Sequence, residues 1–316
     1  MEKALRNRLT FGSLMLGGLF GILWFDSYAQ SLTRKWRLEA SGGLNGDGVQ
    51  GLGLLILLML ASPLAVEELA VLFTAERVRP YRIVAGVGSA ALVLHAFLTQ
   101  FEWFKPVAAS TLAFIVVFVM LLAALRRAWA KQTQDAIVRM AGTVLATLYL
   151  GGLSWFLMAI RVKHSLKHGD PHAERFVGST MLILMILVVV KATDIGAYFG
   201  GRKLGKHKLI PWLSPGKTWE GLACGVVFSG IVGAIFAPFL HHMPTPWWKG
   251  FIISMVLGAI GQAGDLLESM MKRDAEVKDS GRLVPGFGGI LDIIDSPLLA
   301  APFAYLLFSF FMHSQL

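Results

Sequence analysis

Cysteine and charge are both scarce in this chain of 316 residues. Cys224 is the only cysteine, which excludes a disulfide framework and any metal site built from several thiolates. Charged residues make up 16% of the sequence, compared with about 25% in a typical soluble domain. Hydrophobic residues make up 55%, and the mean hydropathy is +0.62. This composition is typical of an integral membrane protein.

Long apolar runs predict nine membrane-spanning helices. Each run is close to the roughly 20 residues that a helix needs to cross the hydrocarbon core of a bilayer. The predicted spans are Leu9–Phe25, Val49–Thr74, Val84–Trp103, Ser110–Leu125, Ile137–Ile160, Phe176–Asp194, Trp219–Leu240, Gly250–Glu268 and Leu291–Met312. The predicted fold class is therefore all-α, a polytopic membrane protein with about nine transmembrane helices.

The loops between these spans differ in their content of lysine and arginine. With a cytoplasmic N-terminus, the inside segments carry eighteen of these residues and the outside segments carry nine. The positive-inside rule therefore predicts that the N-terminus is cytoplasmic. This orientation puts the two motif-rich loops, 195–218 and 269–290, at the cytoplasmic face of the cell membrane, where nucleotides are available.

The net charge of +9 has two explanations in a membrane protein. The positive-inside rule accounts for much of the excess, and binding of anionic lipid or nucleotide phosphate accounts for more. Nucleic-acid binding is not expected, because no basic helix interleaved with aromatic residues stands outside the apolar spans.

The most polar stretch of the chain precedes the last span and reads SMMKRDAEVKDSGRLVPGFGGILDIID from position 269. After a glycine-rich turn, Asp292 and Asp295 open an otherwise apolar helix, three residues apart and on one face. With Asp265 across the loop, they indicate a site for a hard cation such as Mg²⁺. The alternative is that one aspartate only stabilises the positive end of the helix dipole.

Two further sets of charged residues lie at helical spacing. Asp265, Glu268 and Lys272 share one helix face, which fits either an intrahelical ion-pair ladder or a metal site using Asp265. Asp194 ends the sixth predicted span, with Lys191 three residues earlier on the same face.

The sequence Ser214-Pro-Gly-Lys-Thr resembles part of a P-loop. The first glycine of that motif is missing, since Pro211 occupies its place, and a membrane helix precedes the loop instead of a strand. The P-loop interpretation is therefore rejected. The Lys217 ammonium and the Ser214 and Thr218 hydroxyls still suit a phosphate. A basic loop that serves topology alone is equally compatible with these residue types.

Three polar residues inside the N-terminal spans have simpler interpretations. Glu67 and Glu68 lie late in the second span and indicate an interfacial helix end, with the alternative that one of them lines a polar cavity. His95 in the third span is interpreted as a packing residue with its hydrogen bonds satisfied, and not as a ligand.

Together these residues resemble the phosphatidate cytidylyltransferase family, also called CDP-diacylglycerol synthases. The C-terminal signature of that family reads approximately S-x-x-K-R-x4-K-D-x-G-x3-P-G-H-G-G-x-x-D-R-x-D. This chain matches it at Ser269, Lys272, Arg273, Lys278, Asp279, Gly281, Pro285, Gly286, Gly288, Gly289, Asp292 and Asp295. The motifs around Asp194, at 214–221 and at 264–269 are also similar to those of the family.

Two signature positions differ from the family pattern. Phe287 replaces a histidine, and Ile293 replaces an arginine next to Asp292. Each replacement removes a polar group from the predicted phosphate site. Weaker substrate binding, a changed substrate choice and a degenerate paralogue are all left open.

The resemblance implies that the chain transfers the CMP moiety of CTP to phosphatidate, giving CDP-diacylglycerol and pyrophosphate in phospholipid synthesis. The implied catalytic residues are Asp265, Asp292, Asp295, Lys272 and Lys278, with Asp265 and Asp292 as ligands of Mg²⁺ and a second cation left open. The implied substrate-binding residues are Asp194, Ser214, Lys217, Thr218, Arg273, Asp279, Gly286, Gly288 and Gly289.

The same resemblance divides the chain and leaves rival functions open. Residues 1–175 are expected to form a lipid-groove scaffold and residues 176–316 the catalytic region. A homodimer in the bilayer is what the family suggests. The rivals are a CTP-dependent lipid kinase of the polyprenol or phytol type, and a degenerate paralogue or transporter.

Overall fold

Helices account for nearly all of the chain that can be described in the computed structural model, which comprises residues 2–40, 48–75, 78–163, 178–240, 246–277, 279–281, 283–284 and 288–313. The helices are α1 (Glu2–Ala40), α2 (Leu52–Ala75), α3 (Arg82–Leu98), α4 (Ala108–Trp129), α5 (Ala136–Thr147), α6 (Leu153–Lys163), α7 (Gly178–Leu204), α8 (Trp219–Phe236), α9 (Trp247–Asp274) and α10 (Leu291–His313). Two short antiparallel strands, β1 (Lys208–Ile210) and β2 (Ser214–Thr218), form a hairpin between α7 and α8.

The predicted class, an all-α polytopic membrane protein, is confirmed. Eight helical segments in the described part of the chain are long and apolar enough to cross a bilayer. The apolar helix α3 is shorter, with 17 residues. Helices α5 and α6 form one span, joined by a π-helical turn at Leu148–Gly152. All nine predicted spans are thus helical over most of their length.

Helix boundaries differ from the prediction where a helix contains charged residues. The first span was predicted to end at Phe25, but α1 continues to Ala40. Asp26 and Arg161, which were assigned to outside connectors, are instead buried in the interior. Arg161 donates to Asp26 (2.6 Å), Ser179 (2.7 Å) and Gln30 (2.8 Å). Because each charge is neutralised by its partner, neither one ends a helix, and Arg161 is not a topological signal.

His95 has the packing role that its position predicted. Its Nδ1 accepts a hydrogen bond from the indole of Trp155 (3.0 Å), and its Nε2 lies 2.8 Å from the carbonyl of Ala108. The ring also packs edge-on against Phe104. His95 thus joins α3, α4 and α6.

The helices that carry the C-terminal motifs pack closely through small residues. Helix α8 lies between α7 and α9, and α10 packs against α9. A Cβ atom at Gly225 would clash with the Thr193 carbonyl of α7, and one at Gly233 would clash with Ser254 of α9. Small residues allow helix backbones to approach in membranes, where the hydrophobic effect does not drive them together. This packing brings the hairpin before α8 close to α9.

Candidate active site

The two motif-rich loops meet at the same end of the helical bundle. Lys217 on β2 forms an ion pair with Asp265 of α9 at 2.6 Å. Lys272, two turns further along α9, contacts Asp292 of α10 at 2.7 Å. The hairpin and the turn before α10 therefore contribute to one polar site, as the sequence prediction required.

Three carboxylates form the centre of this site. Asp265, Glu268 and Asp295 each offer an oxygen, and these oxygens lie within 4.8 Å of one another. Glu268 is 1% exposed, and its Oε1 accepts no hydrogen bond from any described residue. A Cβ atom at Gly264 would lie 3.1 Å from the backbone of Ser296, so glycine permits the close approach of α9 and α10 here. An all-oxygen donor set with an unused buried oxygen fits a hard divalent cation.

Asp292 has different surroundings from those expected of a metal ligand. One oxygen accepts from Lys272 (2.7 Å), and the other accepts from the amide of Gly289 (2.7 Å) and the hydroxyl of Ser280 (3.0 Å). Asp292 thus holds Lys272 and the preceding turn in place. Glu268, which the sequence suggested only as a member of an ion-pair ladder, both belongs to the carboxylate cluster and contacts Lys272 at 3.0 Å.

The glycines before α10 approach carboxylates of the chain itself. Gly288 has φ +99°, a left-handed conformation that favours glycine, and it forms two backbone hydrogen bonds with Val284. A Cβ atom at Gly288 would clash with the Asp292 carboxylate. These glycines accommodate and hydrogen-bond the carboxylate of Asp292, and the phosphate contact predicted for them stays a prediction.

Glu68 of α2 is a site residue whose position the sequence did not specify. It is 6% exposed and accepts hydrogen bonds from the amides of Ile290 (3.0 Å) and Leu291 (2.8 Å) at the start of α10. Glu67 next to it is 55% exposed and pairs with Arg82 at 2.5 Å. Neighbours on a helix point about 100° apart, so an adjacent pair in an apolar helix was the available signal that only one of them faces out.

Asp194 lies within α7, ten residues before its end, and not at the end of a helix as predicted. It accepts a hydrogen bond from Gln262 of α9 at 2.5 Å and lies 3.5 Å from Lys191. Gln262 precedes Asp265 by three residues on α9. Asp194 is therefore hydrogen-bonded to α9 about one helical turn before Asp265, through an amide that the sequence did not single out.

The hairpin contributes the cation Lys217 to the site. The Thr218 hydroxyl is occupied as the N-cap of α8, where it accepts from the Gly221 amide at 3.1 Å. Ser214 is half-buried and pairs with Ile210 across the strands. Lys217 projects from between them to Asp265, so it is the hairpin residue best placed to meet a phosphate.

Comparison with known proteins identifies the family. Residues 48–311 match the sequence model of the cytidylyltransferase family. The chain belongs to this family. It is 35% identical over 243 residues to the phosphatidate cytidylyltransferase of Bacillus subtilis (strain 168), covering 76% of this chain and 85% of that protein.

Other cytidylyltransferases match over shorter stretches. The phosphatidate cytidylyltransferase of Haemophilus influenzae is 42% identical over 158 residues, which is 49% of this chain and 51% of that protein. That of Staphylococcus saprophyticus is 48% identical over 120 residues, which is 38% of this chain and 46% of that protein.

Some of the remaining predicted positions in this cytidylyltransferase family member can be described. Arg273 and Asp279 are exposed, and Ile293 is half-buried on the first turn of α10. Lys278, Gly286 and Phe287 lie outside the described residues. The predicted division between residues 175 and 176 stays a prediction, although Glu68 brings the first half of the chain into contact with the signature turn.

Proposed function

We propose that this chain transfers the CMP moiety of CTP to phosphatidate, releasing pyrophosphate and leaving CDP-diacylglycerol in the bilayer. The observation that carries the proposal is the convergence of Lys217, Lys272 and a three-carboxylate cluster at one end of a membrane helix bundle. Membership of the cytidylyltransferase family and relatives named phosphatidate cytidylyltransferase support it. The proposed location is the cytoplasmic face of the cell membrane, because one substrate is a lipid and the other is soluble.

The main obstacle to this reaction is electrostatic. A phosphatidate oxygen is already anionic at neutral pH, so it attacks the α-phosphorus of CTP without a strong general base. Bringing this anion up to a polyanion requires positioning and charge neutralisation, which dominate phosphoryl-group chemistry. Lys217 and Lys272 are the described cations with ammonium groups inside the site, and each is held by a carboxylate.

Asp265, Glu268 and Asp295 would hold the divalent cation that the family suggests, with Mg²⁺ as the proposed ion. These carboxylates would hold an ion that supplies positive charge to the phosphate groups of the substrate. Asp292 orients Lys272 through its hydrogen bond, and its own metal contact stays a prediction. A homodimer also stays part of the proposal.

One assay tests the activity. Purified protein is incubated with labelled CTP, phosphatidate and Mg²⁺, and the products are separated into lipid-soluble and aqueous fractions. A lipid-soluble cytidine product with equimolar pyrophosphate is expected. Release of CDP with a phosphorylated lipid alcohol would support the kinase alternative, and the absence of turnover with either substrate class would support a degenerate paralogue.

A further inference from the structure

Glu68 connects the N-terminal half of the chain to the turn that carries Asp292. Its carboxylate lies among groups more than 200 residues away in sequence: the Ser280 hydroxyl (3.4 Å) and the amides of Ile290 and Leu291. A Cβ atom at Gly281 or Gly289 would clash with its oxygens. The residues before α10 therefore pack against the Glu68 carboxylate, which accepts hydrogen bonds from the amides at the start of this helix.

The hydrogen bonds continue from Glu68 to the proposed phosphate site. The Ser280 hydroxyl contacts both carboxylates, at 3.4 Å from Glu68 and 3.0 Å from Asp292. Asp292 in turn holds the Lys272 ammonium at 2.7 Å. A displacement of the turn would move Asp292, and with it the cation that faces the carboxylate cluster.

We propose that Glu68 is a positioning residue for the transfer reaction: it fixes the 288–292 turn and thereby orients Asp292 and Lys272. The inference rests on the proposed function. Glu68 touches no substrate in this proposal. Its effect is transmitted by hydrogen bonds through the turn, in the way that outer-sphere partners orient the groups that meet a ligand.

Replacement of Glu68 by glutamine, with its exposed neighbour as control, tests the proposal. Glu68→Gln keeps the volume but turns one acceptor into a donor facing backbone amides. We expect kcat to fall about 10- to 100-fold, with a smaller change in KM for CTP, while detergent-extracted protein stays monodisperse. Glu67→Gln removes the same charge one position away and is expected to keep kcat within about twofold, since exposed ion pairs contribute little.

A double-mutant cycle separates positioning from general stability. The three atoms nearest to a Cβ at Gly281 all belong to Glu68. Gly281→Ala should therefore lower kcat in the wild-type background and have little further effect in the Glu68→Ala background. Gly86→Ala, where the added methyl meets nothing within 4 Å, is the control substitution.

The outcomes distinguish the two proposals. An active wild-type protein whose kcat is unchanged by Glu68→Gln, or strictly additive effects in the Gly281 cycle, would overturn the positioning role. A loss of folded protein with unchanged kcat per active site would do the same, because it would assign Glu68 to stability alone. A wild-type protein without cytidylyltransferase activity would instead overturn the proposed function.

A basic cavity of about 680 Å³ lies beside α4 and α5. Its lining residues are all polar, and the charged ones are Arg79, Arg127, Lys131, Arg139 and Asp135. Four of them are cations and one is a carboxylate. None of these cations takes part in an ion pair with another described residue.

Arg127 is an unusual member of this group because it is only 7% exposed. It donates to the side chain of Gln132 (2.5 Å) and to the carbonyl of Gln134, which shapes the α4–α5 connection. The Nε atoms of Arg127 and Arg139 are buried and lack partners among the described residues. Clustered cations with unused donors repel one another and favour an anion with several acceptor oxygens.

The surroundings of the cavity indicate the source of that anion. Trp129 and Ile137, each two residues from lining residues in the sequence, have exposed side chains, as expected of residues that face lipid. An exposed tryptophan at a helix end is typical of the headgroup level of a bilayer. We infer that this cavity binds the phosphate of an anionic phospholipid headgroup.

Lipid retention tests this second inference. Purified protein is equilibrated with mixed phosphatidylglycerol and phosphatidylcholine vesicles, re-isolated in detergent, and its bound lipid is counted by native mass spectrometry. Wild type and the control Arg126→Gln, an exposed neighbour outside the cavity, should retain phosphatidylglycerol preferentially. The double variant Arg79→Gln/Lys131→Asn should reduce that preference about tenfold or more, since each surface cation favours anionic lipid.

The double variant Arg79→Gln/Lys131→Asn is expected to fold like the wild type. Both replaced residues are exposed, and asparagine tolerates the left-handed backbone of Lys131, which has φ +50°. Equal phosphatidylglycerol retention by the double variant and the control would overturn the inference. So would displacement of the lipid by equimolar inorganic phosphate, which would make the cavity a site for free phosphate.

Discussion

Glu268 is the least solvated carboxylate of the candidate site, and it contributes to two parts of it. One oxygen contacts Lys272, and the other has no hydrogen-bond donor among the described residues. A buried, unpaired carboxylate oxygen is costly unless a cation or a proton meets it. Its position beside Asp265 and Asp295 explains why this cost is tolerated, if a metal ion completes the cluster.

Glu268→Gln is therefore expected to weaken metal binding. The half-saturating Mg²⁺ concentration for turnover should rise about 10- to 100-fold, because a negatively charged carboxylate is replaced by a neutral amide. Isothermal titration of Mn²⁺ as a probe ion, without substrate, provides a second readout. The control is Glu276→Gln, at an exposed position two residues after the end of α9, and an unchanged metal affinity in Glu268→Gln would contradict the assignment.

Asp265 and Asp292 should give different kinetic signatures. Both Asp265→Asn and Asp292→Asn are expected to abolish most of the activity while membrane insertion is retained. Asp265→Asn should also raise the Mg²⁺ requirement, whereas Asp292→Asn should lower kcat at every Mg²⁺ concentration, because Asp292 holds Lys272. Near-normal turnover of Asp292→Asn would reject both its predicted metal role and its orienting role.

At the scale of the elements, the buried pair of Asp26 on α1 and Arg161 on α6 joins three helices, because Arg161 also donates to Ser179 on α7. Asp26 also accepts from the Gly53 amide at 3.0 Å, so the pair secures the start of α2 as well. Removing one member of a buried pair leaves an uncompensated charge, which typically costs about 3 to 5 kcal/mol.

Asp26→Ala is thus expected to lower the free energy of unfolding by about 3 kcal/mol. Thermal unfolding in detergent measures the loss. The activity of the folded fraction should be unchanged, because Ser179 beside the pair and Asp194 at the site are fifteen residues apart on α7, about 22 Å along the helix. An equal loss of kcat would show that the two ends of the bundle are coupled.

The helices themselves were predictable from hydropathy, but some of their ends were not. Apolar runs located every span, whereas α1 and α7 continue past the charged residues at which the prediction ended them. A charge within a helix is compatible with burial when its partner lies on another helix. Asp26 and Arg161 are 135 residues apart, and spacing along the chain does not reveal such a pair.

In the candidate site, too, the sequence predicted contacts within one helix but not contacts between distant segments. Local spacing correctly gave the Glu268–Lys272 contact and the proximity of Lys191 and Asp194. Local spacing did not predict the contacts between distant segments, which are those of Glu68 with the turn before α10 and of Gln262 with Asp194. Spacing also placed Asp292 and Asp295 on one face without deciding which of them joins the carboxylate cluster and which holds Lys272.

At the scale of the whole molecule, the orientation in the bilayer is a prediction that labelling tests. Replacing Cys224 by serine gives a cysteine-free background. We expect an impermeant maleimide added to intact cells to label Trp103→Cys, between α3 and α4, and not Lys206→Cys in the hairpin region. Permeabilised cells, in which both positions should react, provide the control. Labelling of Lys206→Cys alone in intact cells would reverse the orientation.

The contact between Glu68 and the start of α10 affects what is expected when the polypeptide is divided into two fragments. A truncated polypeptide beginning at residue 176 would retain every signature motif and yet lack the acceptor for the Ile290 and Leu291 amides. If Glu68 has the proposed positioning role, we expect catalytic activity to require both halves of the chain. Co-expression of the two fragments from separate promoters should restore turnover that the C-terminal fragment alone does not possess.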